Sequence, residues 1–177
     1  MAGSGRDERA WVRRAQAGSA SDFEALVRAH WGPAYRAAYL VVRDAAAAED
    51  IAQEAFLAAV RALDRFDRRR PFGPWLHRIV VNRAIDYARA REVRREVPAD
   101  AVAEAASRAG GAAGEASSDD VLGALAALAP DQRAVIVMRH LLGFTPGEIA
   151  SALGLPRGTV NSRLRRGLDG LQETVER

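Results

Sequence analysis

The sequence predicts an all-α protein of two small helical domains joined by a flexible linker, the C-terminal one a four-helix domain with a helix-turn-helix. Three observations predict it. Apolar residues, 49% of the 177-residue chain, recur at helical spacing with no sustained alternation of period two. The stretch 98–117 is rich in Ala, Gly, Ser and acids, with Val102 its only sizeable apolar residue, so it cannot bury enough surface to order itself. The closing stretch 145–168 reads as two short helices separated by a tight glycine turn. The domains therefore span 6–97 and 118–177, each near the lower size at which a core stabilises a fold unaided.

Residues 1–5 are expected to be disordered, and 6–17 to form a first helix with Trp11, Val12 and Ala15 inward before Gly18 and Ser19 break it. Ser21 with Glu24 matches a capping box for a long second helix through Leu26, Trp31, Tyr39 and Val42, with Pro33 a candidate kink. Asp44 suits the N-cap of a third helix. Its buried stripe is Ile51, Ala55, Phe56, Ala59, Val60 and Leu63, and its outer face carries Glu49, Asp50, Gln53 and Glu54. The segment FDRRRPFGP, 66–74, combines two Pro, a Gly, two Phe and three Arg, the composition of a loop that could form a pocket. A fourth helix then buries Trp75, Leu76, Ile79, Val80 and Ile85, with Arg78, Asn82, Asp86 and Arg89 aligned outside. After the linker a helix carries Leu122, Leu125 and Leu128. Pro130 opens the next, where Val135, Ile136, Met138 and Leu141 are expected to pack.

In the closing pair, Thr145 and Glu148 form a capping box, Pro146 takes the first helical position, and Gly154 can end the helix in a left-handed conformation. The helix after it turns Val160, Leu164 and Leu168 inward and Arg157, Asn161, Ser162, Arg165 and Arg166 outward. Between 157 and 166 there are four Arg and no acid. Guanidinium and amide groups so placed suit the edges and phosphates of a DNA major groove better than a merely solvated face.

Charge is distributed unevenly behind a net of +3. From 68 to 95 there are nine Arg against Asp86 and Glu92, whereas 44–54 holds four acids and no base. Two such surfaces imply partners of different kinds. The absence of Cys excludes disulfides, thiolate catalysis and Cys-ligated zinc. No stretch has the length of a membrane span or the pattern of a signal peptide, so a soluble, cytoplasmic protein is expected.

Three motifs together resemble the bacterial RNA polymerase sigma factors of the extracytoplasmic-function class, which keep only the second and fourth conserved domains. They are AEDIAQEAF (48–56), FGPWLHRIVVNRAIDYAR (72–89) and TPGEIASALGLPRGTVNSRLRR (145–166), in the family's order over nearly the whole chain. The resemblance implies that Glu49, Asp50, Gln53 and Glu54 dock on the clamp coiled coil of the polymerase β′ subunit. It implies that the 66–74 loop and the helix after it hold and open the −10 promoter element. There Phe72 would supply an apolar wall, Arg68, Arg69 and Arg70 cations, and Arg78, Asn82 and Asp86 reading groups. Asp86 departs from relatives with a neutral amide, and a carboxylate repels phosphate. In the fourth domain, which rests on the β flap, Asn161, Ser162 and Arg165 would face bases of the −35 element. Arg157, Thr159, Arg163 and Arg166 would lie on phosphates. Asn161 stands where Lys or Arg is frequent, which predicts that it reads adenine. The family also implies an anti-sigma partner and no membrane insertion of the chain itself.

The competing functions account for less. A stand-alone helix-turn-helix regulator leaves the acidic face and the basic block unexplained. For an enzyme, the sequence offers no phosphate loop, nucleophile motif or paired carboxylate with a suitable base. His30, His77 and His140 are expected to lie apart in separate helices. No catalytic residue, cofactor or metal is therefore expected. A purely structural helical module is disfavoured by the two Arg-bearing faces.

Overall fold

The computed structural model describes residues 5–96 and 118–175, so the expected linker and residues 1–4 of the expected disordered start lie outside it. Among the described residues there are eight α-helices and no strand. They are α1 (Gly5–Gln16), α2 (Ala20–Val42), α3 (Ala45–Ala62), α4 (Phe72–Glu96), α5 (Ser118–Ala127), α6 (Pro130–Ile136), α7 (Pro146–Leu153) and α8 (Arg157–Val175). A tight 3-10 turn, Leu63–Arg65, extends α3, and a wider π turn, Val137–Leu141, extends α6.

Local chemistry sets most of the helix ends. Gly18, at φ 95°, turns the chain out of α1. The cap of α2 is Ser19, not the expected Ser21: the Asp22 amide donates to the Ser19 hydroxyl oxygen at 3.4 Å, and that hydroxyl donates back to the Asp22 carboxylate at 2.6 Å. Pro33 does not divide α2. Gly32 and Pro33 both lie on its exposed side, where water can solvate the carbonyl that Pro33 leaves without a donor. Asp44 caps α3 through the Ala47 amide at 3.1 Å, as its position predicts.

Helices α1 to α4 pack around Leu26, Val41, Ile51, Phe56, Leu76, Val80 and Val81, and α5 to α8 around Leu125, Leu128, Val135, Met138, Ile149 and Val160. The buried side chains of the two groups meet in one continuous cluster, with α6 against α2 and α4, and α7 against α4. Arg133 on α6 fastens that junction. It is 8% exposed and donates from Nη1 to the Val41 carbonyl and from Nη2 to the Leu128 carbonyl, each at 2.7 Å. Both acceptors lie at helix C-terminal ends, where unpaired carbonyls concentrate negative potential. One guanidinium thus closes α2 in the first group and α5 in the second.

Candidate nucleic-acid interface

The acidic face of α3 is where its periodicity predicts: Glu49, Asp50, Gln53 and Glu54 are all exposed. Val60 is a correction. Expected in the buried stripe, it is 43% exposed, and Leu57 is 55% exposed, because Phe56 already marks the edge of the core-facing arc. The apolar pair extends the polar face toward the end of α3.

Asp86 falls beside this face. With Asp44, Asp50, Glu54, Arg83 and Tyr87 it lines a cleft of about 490 Å³ between α3 and α4. This corrects its expected alignment with Arg78 and Asn82. Each four-residue step drifts about 40° around a helix of 3.6 residues per turn, so Asp86 lies about 80° round from Arg78, whereas Arg89 returns to about 20°.

The loop before α4 is built from below. Phe66 and Phe72 are 7% and 1% exposed, so Phe72 belongs to the core and cannot serve as the wall of a base pocket, correcting the sequence-based expectation. Its ring sits 6.0 Å from Phe66, 5.5 Å from Trp75 and 5.3 Å from His30, centroid to centroid. Trp75 is half-buried against the same cluster. Glu8 of α1 supplies the N-terminal cap of α4 from a distance. Its Oε1 accepts the Phe72 amide at 3.0 Å and its Oε2 contacts His30 Nε2 at 3.1 Å. The His30 hydrogen bond, aided by the Phe72 and Gly73 amides, holds this carboxyl below its ordinary range against the opposing effect of burial. His30 and His77, expected apart, are neighbours with ring centroids 6.4 Å apart. Burial, and secondarily the His30 ring, pushes His77 down to about 4.

Arg68, Arg69 and Arg70 point outward from this base. Asp67 pairs with Arg69 at 3.0 Å and is itself held low by that bond. Arg70, Pro71, Pro74, Trp75 and half-buried Arg78 form one wall of a groove of about 340 Å³. Phe144, Glu148 and Ser151, at the start of the helix-turn-helix, form the other.

In the helix-turn-helix the capping box is complete. The Thr145 amide donates to Glu148 Oε2 at 2.7 Å and the Glu148 amide to Thr145 Oγ1 at 3.3 Å. Gly154 ends α7 at φ 63°, a conformation that costs glycine little. On α8, Arg157, Asn161, Arg165 and Arg166 are exposed, while Thr159, Ser162 and Arg163 are half-buried. The Ser162 hydroxyl donates to the Thr159 carbonyl at 3.2 Å. Val160 and Leu164 are buried as expected, but Leu168 is 41% exposed. The same four-residue drift carries it off the core, and Gly167 takes its place against Ile136, where a Cβ would come within 3.1 Å of Cγ1.

Two of the predicted site residues are engaged by residues distant in the chain. Asn82 Nδ2 donates to the Ala152 carbonyl at 3.2 Å. Arg163 pairs at 2.9 Å with Asp131, which also receives Arg89 through Nε and Nη2, each at 3.0 Å. Asp131, Arg133 and Glu8 are the structurally important residues that sequence reasoning missed. Each acts on residues distant in the chain and has no local signature. Among the described residues no group of three or more His, Asp or Glu comes together to hold a metal.

Among the described residues the protein is thus all-helical, with an acidic face on α3 and a basic helix-turn-helix. Residues 26–94 match the family model for sigma-70 region 2, and 118–169 that for sigma-70 region 4. The chain is 33% identical over 169 residues to an RNA polymerase sigma-E factor of Streptomyces avermitilis, covering 90% of this chain and 88% of the relative. It is 32% identical over 168 residues to the ECF RNA polymerase sigma factor SigL of Mycobacterium tuberculosis, covering 93% and 95%. Among solved structures it is similar to CnrH in complex with the cytosolic domain of CnrY, with TM-score 0.69, 29% identity, and 96% and 97% of the two chains covered. It is also similar to the sigma factor RpoE of Bartonella quintana bound to the anti-sigma factor NepR, with TM-score 0.67, 26% identity and coverage of 88% and 97%. The chain belongs to the extracytoplasmic-function class of RNA polymerase sigma factors, initiation factors that act by binding core polymerase.

Proposed function

We propose that residues 6–97 dock on core polymerase and open the −10 element, and that residues 118–177 read the −35 element while resting on the β flap. Glu49, Asp50, Gln53 and Glu54 face basic residues of the β′ clamp coiled coil, with Asp86 adding a carboxylate to the cleft that Asp50 and Glu54 line. Such a surface chiefly sets orientation and association rate. Arg68, Arg69 and Arg70 hold the phosphates of the −10 strand, and Arg78 and Asn82 read its bases. Asn161, Ser162 and Arg165 face −35 bases, with Arg157, Thr159, Arg163 and Arg166 on phosphates. The protein has no bond-forming chemistry of its own. It works in the cytoplasm with the polymerase and is restrained by an anti-sigma factor. Among the described residues no helix is long and apolar enough to cross a membrane.

The observation that carries this reading is the exposure of Arg157, Asn161, Arg165 and Arg166 on the second helix of a helix-turn-helix whose first helix is capped at both ends, in one chain with a separate acidic face on α3. A stand-alone regulator needs only the first of these. The test is transcription in vitro with core polymerase, followed by mapping of start sites. Initiation at a defined set of promoters sharing two upstream elements is expected. Core enzyme left without promoter choice, at low ionic strength and with no inhibitor, would overturn the reading.

A further inference from the structure

We infer that Arg43, Arg91 and Arg133 form a binding site for a small phosphate anion, free or as the diphosphate end of a nucleotide. The three come from different elements: Arg43 ends α2, Arg91 lies on α4 and Arg133 on α6, and together they line a cavity of about 210 Å³. None of them is among the residues proposed to meet polymerase or promoter. Among the described residues the lining holds a single carboxylate, that of the exposed Glu92. Arg91 is already paired, at 2.9 Å, with Asp44. That leaves Arg43 and Arg133 as two positive charges against one acid.

Both are held in place yet incompletely bonded. Arg133, 8% exposed, uses Nη1 and Nη2 on the Val41 and Leu128 carbonyls, and its buried Nε has no acceptor in the chain. Nε and Nη1 of Arg43 are likewise buried without an acceptor. The Arg43 guanidinium lies over the Tyr39 ring, 5.1 Å from its centroid, which fixes its direction. Its backbone is left-handed at φ 58°, the one non-glycine residue so placed among those described. Gly154 ends α7 in the same conformation with little strain, so an arginine at the end of α2 marks a position where the side chain matters.

Burial, and secondarily the Arg43 charge, pulls the Arg133 guanidinium below its ordinary range, and Glu92 offsets only part of this. Buried N–H groups without acceptors are costly, and so are like charges without a counter-ion. A water molecule would relieve the first and not the second. A phosphate relieves both, because its oxygens point in several directions and accept from guanidiniums that converge from separate helices. The small side chains of Ala88 and Ala126 leave it room. The cavity exceeds the roughly 30 Å³ of one water but falls below the roughly 300 Å³ of pockets that enclose a drug-sized molecule. A phosphate or diphosphate therefore enters, and any nucleoside stays outside.

Calorimetric titration of the full-length protein with pyrophosphate, inorganic phosphate and ADP, each at constant ionic strength, tests the site. Pyrophosphate should bind one to one with a Kd of about 1 mM or tighter, and should raise the thermal midpoint by mass action. ADP binding as tightly as pyrophosphate would assign the site to a nucleoside diphosphate; weaker ADP binding would assign it to the inorganic anion. Arg43→Gly suits the left-handed backbone, so it should fold without the anion and weaken pyrophosphate binding about tenfold or more. Glu92→Gln, on the exposed rim, removes the competing carboxylate and should tighten binding about two- to fivefold. Absence of saturable binding by about 10 mM pyrophosphate would overturn the site. So would a folded Arg43→Gly protein that binds as the natural one does, since the anion would then sit on some other basic surface, or Glu92→Gln with unchanged affinity.

Discussion

In the first half of the molecule, the segment that carries Arg68, Arg69 and Arg70 is fixed from beneath by Phe66, Phe72 and Trp75 and at its end by Glu8. In the second half, α7 is set largely by its own ends, with the Thr145–Glu148 box at one and Gly154 at the other. The aromatic residues follow the same division: all three Trp and all three Tyr lie in 1–97, and residues 118–177 hold Phe144 alone. A loop has no internal ladder of hydrogen bonds, so a cluster of large rings must hold it in place. A short helix needs only its terminal groups satisfied and one apolar stripe. The lesson is that a candidate binding element can be positioned by tertiary packing or by local capping, and the two respond differently to substitution.

The largest expected effect follows from the first mode. Phe72→Ala empties the centre of the ring cluster and should cost about 3–5 kcal/mol, the usual range for a fully buried phenylalanine. Because every Trp is in the first half, Trp fluorescence during thermal unfolding should record the loss directly. A cost below about 1 kcal/mol would mean that the loop is held by something other than the rings.

The second effect is the acid sensitivity of the first half. Burial holds His77 at about 4, well below the ordinary value of 6.5. Above 6.5 both folded and unfolded forms are neutral and the group contributes nothing. As pH falls from 6.5 toward 4, the unfolded chain takes up a proton that the folded chain refuses, so stability declines and then levels off. The full loss should be on the order of 3 kcal/mol. Glu8, held below its ordinary range, adds a separate loss as pH falls through the carboxylate region. His77→Gln should flatten the decline above pH 4 while leaving the Glu8 part in Trp-monitored titrations. An unchanged decline would show that another group carries it.

These two modes also explain what could be read from the chain. The helix-turn-helix was legible because its determinants lie within a few residues of one another, as did the acidic face and the Asp44 cap. Ser19 and Ser21 both suit an N-cap, and the turn at Gly18 decides between them. Phe72 was misread because Pro, Gly and Arg around it have loop composition, whereas its burial depends on His30 and Phe66. Val60, Asp86 and Leu168 were misplaced by treating four-residue spacing as exact alignment, although the drift accumulates. Glu8 and Arg133 were illegible: they act on groups 64 and 92 residues away, through contacts that only the packed chain creates.

The smallest effect tests whether the halves are separable at all. Thr145→Ala removes one side of the capping box and leaves the Glu148 amide without its acceptor, which should cost about 1 kcal/mol. If capping positions α7 locally, the loss should appear in far-ultraviolet circular dichroism, which reports all helices, as an earlier transition of the second half. Trp fluorescence, reporting only the first half, should keep its midpoint. The Arg133 bonds to Val41 and Leu128 and the shared buried cluster work against this separation, since they couple unfolding of one group to the other. A Trp midpoint that moves with the circular dichroism would mean that this coupling exceeds the stability of the first half alone. The chain would then unfold as one cooperative unit, and the contrast between packed and capped elements would hold for structure but not for stability.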